Sequence, residues 1–254
     1  ECLFKKGWLN PFPKFKFTER PDTAAAQILE GNIIILVDNS PFAMILPVSL
    51  LDIIEEADDY YFPPVTGTYL RFARLIIAIA SFLTPPTFLL LSIKEDWVPE
   101  AFTFISITDT VNIPLIVQFL VLELAIDGLR LAAVNTPSML STPLSIMAGL
   151  VLGEFSVESG WFNSEVLLYE AFVAVAGYAQ PSYELPYAIK FFRILTLILT
   201  AAFQVFGYIA GILLLLLAMA GNKTLSNKPY LYPIFPFNLK KLCKRLVRSR
   251  LKSR

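Results

Sequence analysis

The chain has 254 residues, 56% of them hydrophobic and 17% charged, with 21 Lys/Arg against 21 Asp/Glu and no histidine. A soluble domain carries about a quarter charged residues, so the apolar excess, gathered in long runs, argues for lipid rather than an unusually large core. Without histidine there is no Ser-His or Cys-His pair, no imidazole proton relay and no histidine metal ligand.

The zero net charge hides a sorted distribution. Residues 240–254 hold eight bases (Lys240, Lys241, Lys244, Arg245, Arg248, Arg250, Lys252 and Arg254) and no acid. Between Ala101 and Ile189 eight acids face one base, Arg130. Cys2 and Cys243 lie near opposite ends without CxxC spacing, so neither a disulfide framework nor a metal site is expected. There is no phosphate-binding loop, paired metal site or nucleophile–base pair. No enzymatic activity, cofactor or nucleic-acid partner is therefore expected.

In chain order, residues 1–17 read as irregular, with Lys5, Lys6, Lys14 and Lys16 among Phe and Trp8. A solvated linker is the plainer reading; contact with an anionic membrane surface is the other. "ERPDTAAAQILEG" predicts a helix opened by Pro21 and ended by Gly31. "NIIILVD" and "PFAMILPV" predict two strands about a turn, and "SLLDIIEEADDYY" an acidic helix begun by Ser49. Residues 1–66 thus form a small cytoplasmic α+β element, read as the end of a larger N-terminal domain because it is too small to hold a large core alone. The start without Met or an apolar signal likewise reads as a piece of a longer chain.

Residues 67–222 read as a polytopic transmembrane helical bundle, making the fold class mainly α. About 20 apolar residues cross a bilayer. Segment one, 70–93, carries Arg71 and Arg74 at its start and Pro85-Pro86 inside. Residues 98–108 are too short to cross and read as interfacial. Segment two runs from about Asn112 to Val134, segment three over 142–158, segment four over 165–180 and segment five over 189–221, with Pro-marked loops between. Residues 223–254 form a basic cytoplasmic tail. Lys/Arg near membrane ends favour the cytoplasm, which places both termini inside and requires an even number of crossings. Five segments then cannot all be full spans, and the short acidic segments three and four are candidates for re-entrant or tilted stretches. The tail sets orientation first and binds anionic lipid second.

Glu123, Asp127 and Arg130 fall at i, i+4 and i+7, on one helical face. Ionisable groups at bilayer depth face the bundle interior, each other or water. An interhelical lock in which Arg130 neutralises one carboxylate is one reading; a cation-path lining is the other. Ser145, Gly149, Gly153 and Val157 form a stripe in segment three that lets helices approach, with Glu154 and Glu158 on an adjacent face. In a ring of identical subunits those acids would repeat about the axis and select cations; ordinary packing is the plainer alternative. Gly207 and Gly211 repeat the spacing in segment five, where packing of the bundle or oligomer is expected.

"PKFKFTERPDTAAAQILEGNIIILVDNSPFAMILP", "DDYYFPPVTGTYLRFARL" and "ELAIDGLRLAAVNTPSMLSTPLS" occur in that order. This series resembles the A subunit of bacterial spore germinant receptors, the GerA family, over about Phe12 to Phe237. The resemblance implies the inner spore membrane, a role in germination, other spore germination membrane proteins as partners, and oligomeric channels that release cations. The reading is a homo-oligomeric conductor of monovalent cations. A non-conducting scaffold for receptor complexes is the alternative. A small-molecule receptor or transporter comes third, without evident inverted repeats.

Overall fold

The computed structural model describes residues 10–29, 31–56, 58–98, 113–135, 146–226 and 228–247. Ser145, the stretch read as interfacial and the tail beyond Val247 lie outside the described residues. The described chain is mainly helical, with one three-stranded sheet, and divides into two compact units.

The first unit comprises residues 1–80, 177–192 and 213–254. Strands β1 (Lys16–Thr18), β2 (Ile33–Leu36) and β3 (Ala43–Leu46) form an antiparallel sheet in the order β1-β3-β2. Ile45 pairs with Lys16 on one side and Ile34 on the other. The irregular reading of 1–17 is therefore corrected at its end. Lys16 belongs to a strand because its Nζ reaches inward to the carbonyls of Asp52 and Glu55. Helix α1 (Pro21–Leu29) ends as its sequence predicts. Gly31 sits at φ 92, donating to Ile28 O, while Asn32 donates to Gln27 O. That paired closure uses a left-handed residue just past the helix, where glycine carries no Cβ penalty.

The acidic stretch from Ser49 is two helices rather than one: α2 (Leu50–Ile54) and α3 (Asp58–Tyr61). The break falls at Glu55, whose extended backbone (φ −72, ψ 138) leaves its carboxylate paired with Arg71. Asp52 Oδ2 accepts from the backbone N–H and the hydroxyl of Ser49, each at 2.7 Å, which fixes the start of α2. Phe12 stacks on Phe192 with centroids 5.6 Å apart and tilts on Tyr230 at 6.1 Å, closing the core of this unit.

The second unit comprises residues 81–176 and 193–212. Helix α4 (Pro64–Ile93) continues through Pro85-Pro86, and α5 (Leu115–Asn135) opens on the carbonyl of Pro114. The described part of segment three, 146–158, is a helix (α6) whose middle, Leu150–Phe155, is π-wound. Helix α7 (Ser164–Tyr178) follows. Phe88, Phe119, Leu122, Phe162, Val166 and Leu197 pack into one apolar cluster.

Helix α8 (Glu184–Gly221) and α4 are the two described helices long and apolar enough to cross a membrane. α8 is not one rod. Gln204 lies at φ 51, ψ −126, outside helical geometry. Beyond it the chain returns along its own path. A Cβ on Gly207 would fall within 3.0 Å of Leu199 O, Leu199 C and Thr200 N, and one on Gly211 would collide with the Thr196 side chain. Such contacts between residues eight and fifteen apart do not occur along a straight helix, which rises 1.5 Å per residue. Segment five is therefore a helical hairpin, with arms 184–203 and 205–221. The sequence missed it because apolarity is unbroken across the turn and no Pro or Asn-Gly marks it. The last helix, α9 (Leu239–Leu246), is capped by Asn238, whose side chain accepts from Lys241 N–H.

Candidate functional site

The second unit holds a buried ion pair. Glu123 on α5 and Arg193 on the first hairpin arm are each 3% exposed. Arg193 Nε donates to Glu123 Oε1 at 2.6 Å, and the Nη2 group pairs with the same oxygen. Nη1 donates at 3.1 Å to the backbone carbonyl of Ser81. The sequence explains why that carbonyl accepts. In an α-helix the carbonyl of residue 81 would receive the N–H of residue 85, and residue 85 is proline, which has none. The proline pair inside α4 thus frees an acceptor inside the unit, where a buried backbone oxygen must find a donor, and Arg193 supplies it.

One turn earlier on α5, Gln118 and Asn163 clip the start of α5 to the residue preceding α7. Gln118 Nε2 donates to Asn163 Oδ1 at 3.0 Å and Asn163 N–H returns to Gln118 Oε1 at 2.9 Å. Glu170 on α7 is buried in the same unit. Thr87 and Tyr208 share a hydroxyl bond of 2.8 Å.

Glu123 therefore has Arg193 as partner, on another element. Asp127 and Arg130 continue the same face and are half-buried. Glu154 and Glu158 lie exposed on α6. Among the described residues nothing lies within 4 Å of a Cβ built on Gly149 or Gly153, and Val157 is half-buried. Gly207 and Gly211 are engaged inside the hairpin. Sequence reasoning missed Arg193, Ser81, Gln118, Asn163 and Glu170. Arg193 was within reach, since a lone guanidinium in an apolar arm needs an acid, but the count of charges stopped at Ile189, four residues short.

The first unit carries a denser charge network. Asp59, with no exposed surface, accepts from Arg71 Nε at 3.3 Å and Arg74 Nη1 at 2.8 Å. Arg71 also pairs with Glu55, and Arg74 with Glu56 at 3.2 Å. From the tail helix, Arg245 pairs with Asp52, and its carbonyl receives Arg71 Nη1 at 2.6 Å. Tyr230 is buried nearby in the chain's return. Burial first, and the Glu184 charge second, push its phenol well above the usual range.

The match to known proteins follows this plan from end to end. The family model described as Bacillus/Clostridium GerA spore germination protein covers residues 1–254. The chain belongs to the GerA family. It is 40% identical over 240 residues to Stage V sporulation protein AF of Bacillus subtilis (strain 168), covering 94% of this chain and 48% of that protein. It is 34% identical over 242 residues to Spore germination protein GerLA of Bacillus cereus, covering 93% and 48%. Spore germination protein GerQA of Bacillus cereus is 31% identical over 228 residues, 89% of this chain and 46% of that protein. The chain thus spans about half the length of these GerA relatives. No solved structure matches it.

In chemical terms this GerA chain presents carboxylates, amides and carbonyl oxygens, all hard oxygen donors. Among the described residues no cluster of three or more His, Cys, Asp or Glu could hold a metal ion.

Proposed function

We propose that the protein is a multi-pass component of the spore inner membrane that forms a homo-oligomeric path for monovalent cations during germination. The observation that carries this reading is α6. Among the described residues nothing lies within 4 Å of a Cβ built on Gly149 or Gly153, while Glu154 and Glu158 stand exposed beside them. A second copy seated on the small residues would bring those carboxylates round a common axis. Family membership supports the germination role, and names such as Spore germination protein GerLA and Stage V sporulation protein AF supply its setting.

The hairpin supports both termini on the cytoplasmic side. Its arms, at 1.5 Å per residue, reach about 30 Å and about 26 Å, close to the hydrocarbon thickness of about 30 Å. Counted as two crossings, they join α4 and α5 to give four. Whether α6 and α7 add two short crossings or one re-entrant excursion, the total stays even. The conflict between five segments and two cytoplasmic ends disappears.

The test is potassium efflux from liposomes holding the full chain, beside Asp127→Asn, Glu154→Gln, Glu158→Gln combined. Glu123 stays intact there because Arg193 depends on it. Efflux lost in the triple variant is the expected result; efflux unchanged removes these acids from the path. A non-conducting scaffold is the second reading, favoured by one observation: Arg193 already neutralises Glu123. A folded, oligomeric wild type without efflux would establish it over the channel.

A further inference from the structure

We infer that the Glu123 carboxylate and the α4 carbonyl released by Pro85 form a binding site for a monovalent cation, and that the Arg193 guanidinium is its tethered occupant. The inference deepens the cation reading and rests on it for the site's place in a path, but not for binding itself.

Three observations converge. The first is the composition of the pocket around the guanidinium, which combines a carboxylate, at 2.6 Å from Arg193 Nε, with a backbone carbonyl, at 3.1 Å from Nη1. Carboxylate and backbone carbonyl oxygens are donors by which membrane proteins replace the hydration shell of sodium or potassium, and here the carbonyl is freed inside a continuous helix by a missing proline N–H. The second is the sequence of α4. Two consecutive prolines remove the helical donors for two consecutive carbonyls, Ser81 and Phe82, so this turn offers oxygen rather than satisfied backbone. A single ion pair between α5 and the hairpin would need neither proline. The third is the identity of the occupant. Arginine does not deprotonate in proteins, so the buried carboxylate always has its positive charge, and no free ion enters while the arm is in place. Arg193 is carried on the first arm of the hairpin that turns at Gln204, so the guanidinium is a plug held by that arm.

Once the plug is removed the desolvated carboxylate either takes up a proton or binds a free cation, because an uncompensated buried charge is strongly unfavourable, and only the second makes stability depend on which cation is present. Arg193→Gln removes the plug and keeps an amide donor. Glu123→Gln with Arg193→Gln removes both charges.

The experiment compares thermal unfolding of the full chain in detergent, in potassium, sodium or choline chloride at equal ionic strength. Binding to the folded state at about ten times the Kd raises the unfolding midpoint by about 4 °C. Arg193→Gln is expected to unfold at least that much higher in potassium or sodium than in choline, whose methyl groups keep oxygen ligands away from its charge. Wild type and the double variant are expected to unfold alike in all three salts. Equal midpoints for Arg193→Gln in the three salts overturn the site, as does a salt difference that survives in the double variant. If Arg193→Gln folds only when purified in potassium or sodium, the site is upheld; if it folds in none, the site is overturned. Efflux is read separately. Cation-dependent stability without flux refutes conduction and keeps the site, whereas flux without it refutes the site and keeps conduction.

Discussion

Replacing Gly207 by alanine tests the hairpin, because the same substitution has opposite signs at two glycines of this chain. At Gly207 the new Cβ falls within 3.0 Å of Leu199 O, Leu199 C and Thr200 N. All three are backbone atoms of the opposite arm, so no side-chain rotation relieves the clash and the arms must part. Overpacking of this kind costs about 1–3 kcal/mol, which alanine's better helix propensity, about 1 kcal/mol, offsets only partly. At Gly128 nothing lies within 4 Å, so only the propensity gain remains. Gly211→Ala falls between, because its clash is with the Thr196 side chain, which has rotamers to choose from. Thermal unfolding in detergent, followed by tryptophan fluorescence, is the assay. At about 2–4 °C per kcal/mol for a domain of this size, Gly207→Ala is expected to lower the midpoint by several degrees and Gly128→Ala to raise it by about 2 °C. A Gly207→Ala midpoint at or above wild type would mean that the arms do not touch there, and the hairpin with its even count of crossings would fall.

Asp59→Asn in the first unit should be far more damaging than its size suggests. It leaves Arg71 and Arg74 short of the carboxylate both share, and unpairing a buried charge costs about 3–5 kcal/mol; an unchanged unfolding midpoint would show the network to be slack. Asp22 is held well below its ordinary value of 3.8, by the Arg20 hydrogen bond first and the Tyr61 hydroxyl second. Its folded pKa is depressed, so its contribution is full above 3.8 and is lost as pH falls through the folded value. Carboxyl NMR should find Asp22 still ionised below pH 3.8, and Arg20→Ala should return it toward 3.8; titration of Asp22 at 3.8 in the wild type refutes the pairing.

The sequence made legible whatever depends on local pattern. Pro21 and Gly31 bracket α1 because a proline start and a left-handed stop are properties of single residues. The two strands about Asp38 and Asn39 follow from apolar runs joined by a turn. What escaped depends on distant residues meeting. Apolar periodicity could not reveal the reversal at Gln204, since the residues on either side of the turn are apolar and glutamine is not a turn former. It could not assign Glu123 to Arg193 either, because i, i+4 reasoning finds partners only on the same helix. β1 was hidden by its shortness and by Lys16, a residue that enters a buried strand only because two carbonyls receive its ammonium.

The charge sorting that first suggested a membrane orientation acquires a second meaning from the first unit. Arg71, Arg74 and Arg245 count among the bases that favour the cytoplasm, yet each is paired with an acid from the stretch between Ser49 and Tyr61. With Lys16 on the carbonyls of Asp52 and Glu55, the cluster sets Lys16, Arg71, Arg74 and Arg245 against Asp52, Glu55, Glu56 and Asp59 and is neutral as a whole. The orienting charges act on the chain before it folds; once folded, they are spent on holding the tail helix to the α+β element. The contact with anionic lipid expected of the tail from its charge would fall to bases outside the cluster, such as the exposed Lys240 and Lys241. Salt should weaken such a contact well before it weakens the pairing of Asp59 with Arg71 and Arg74, because screening acts on exposed charges far more than on buried ones.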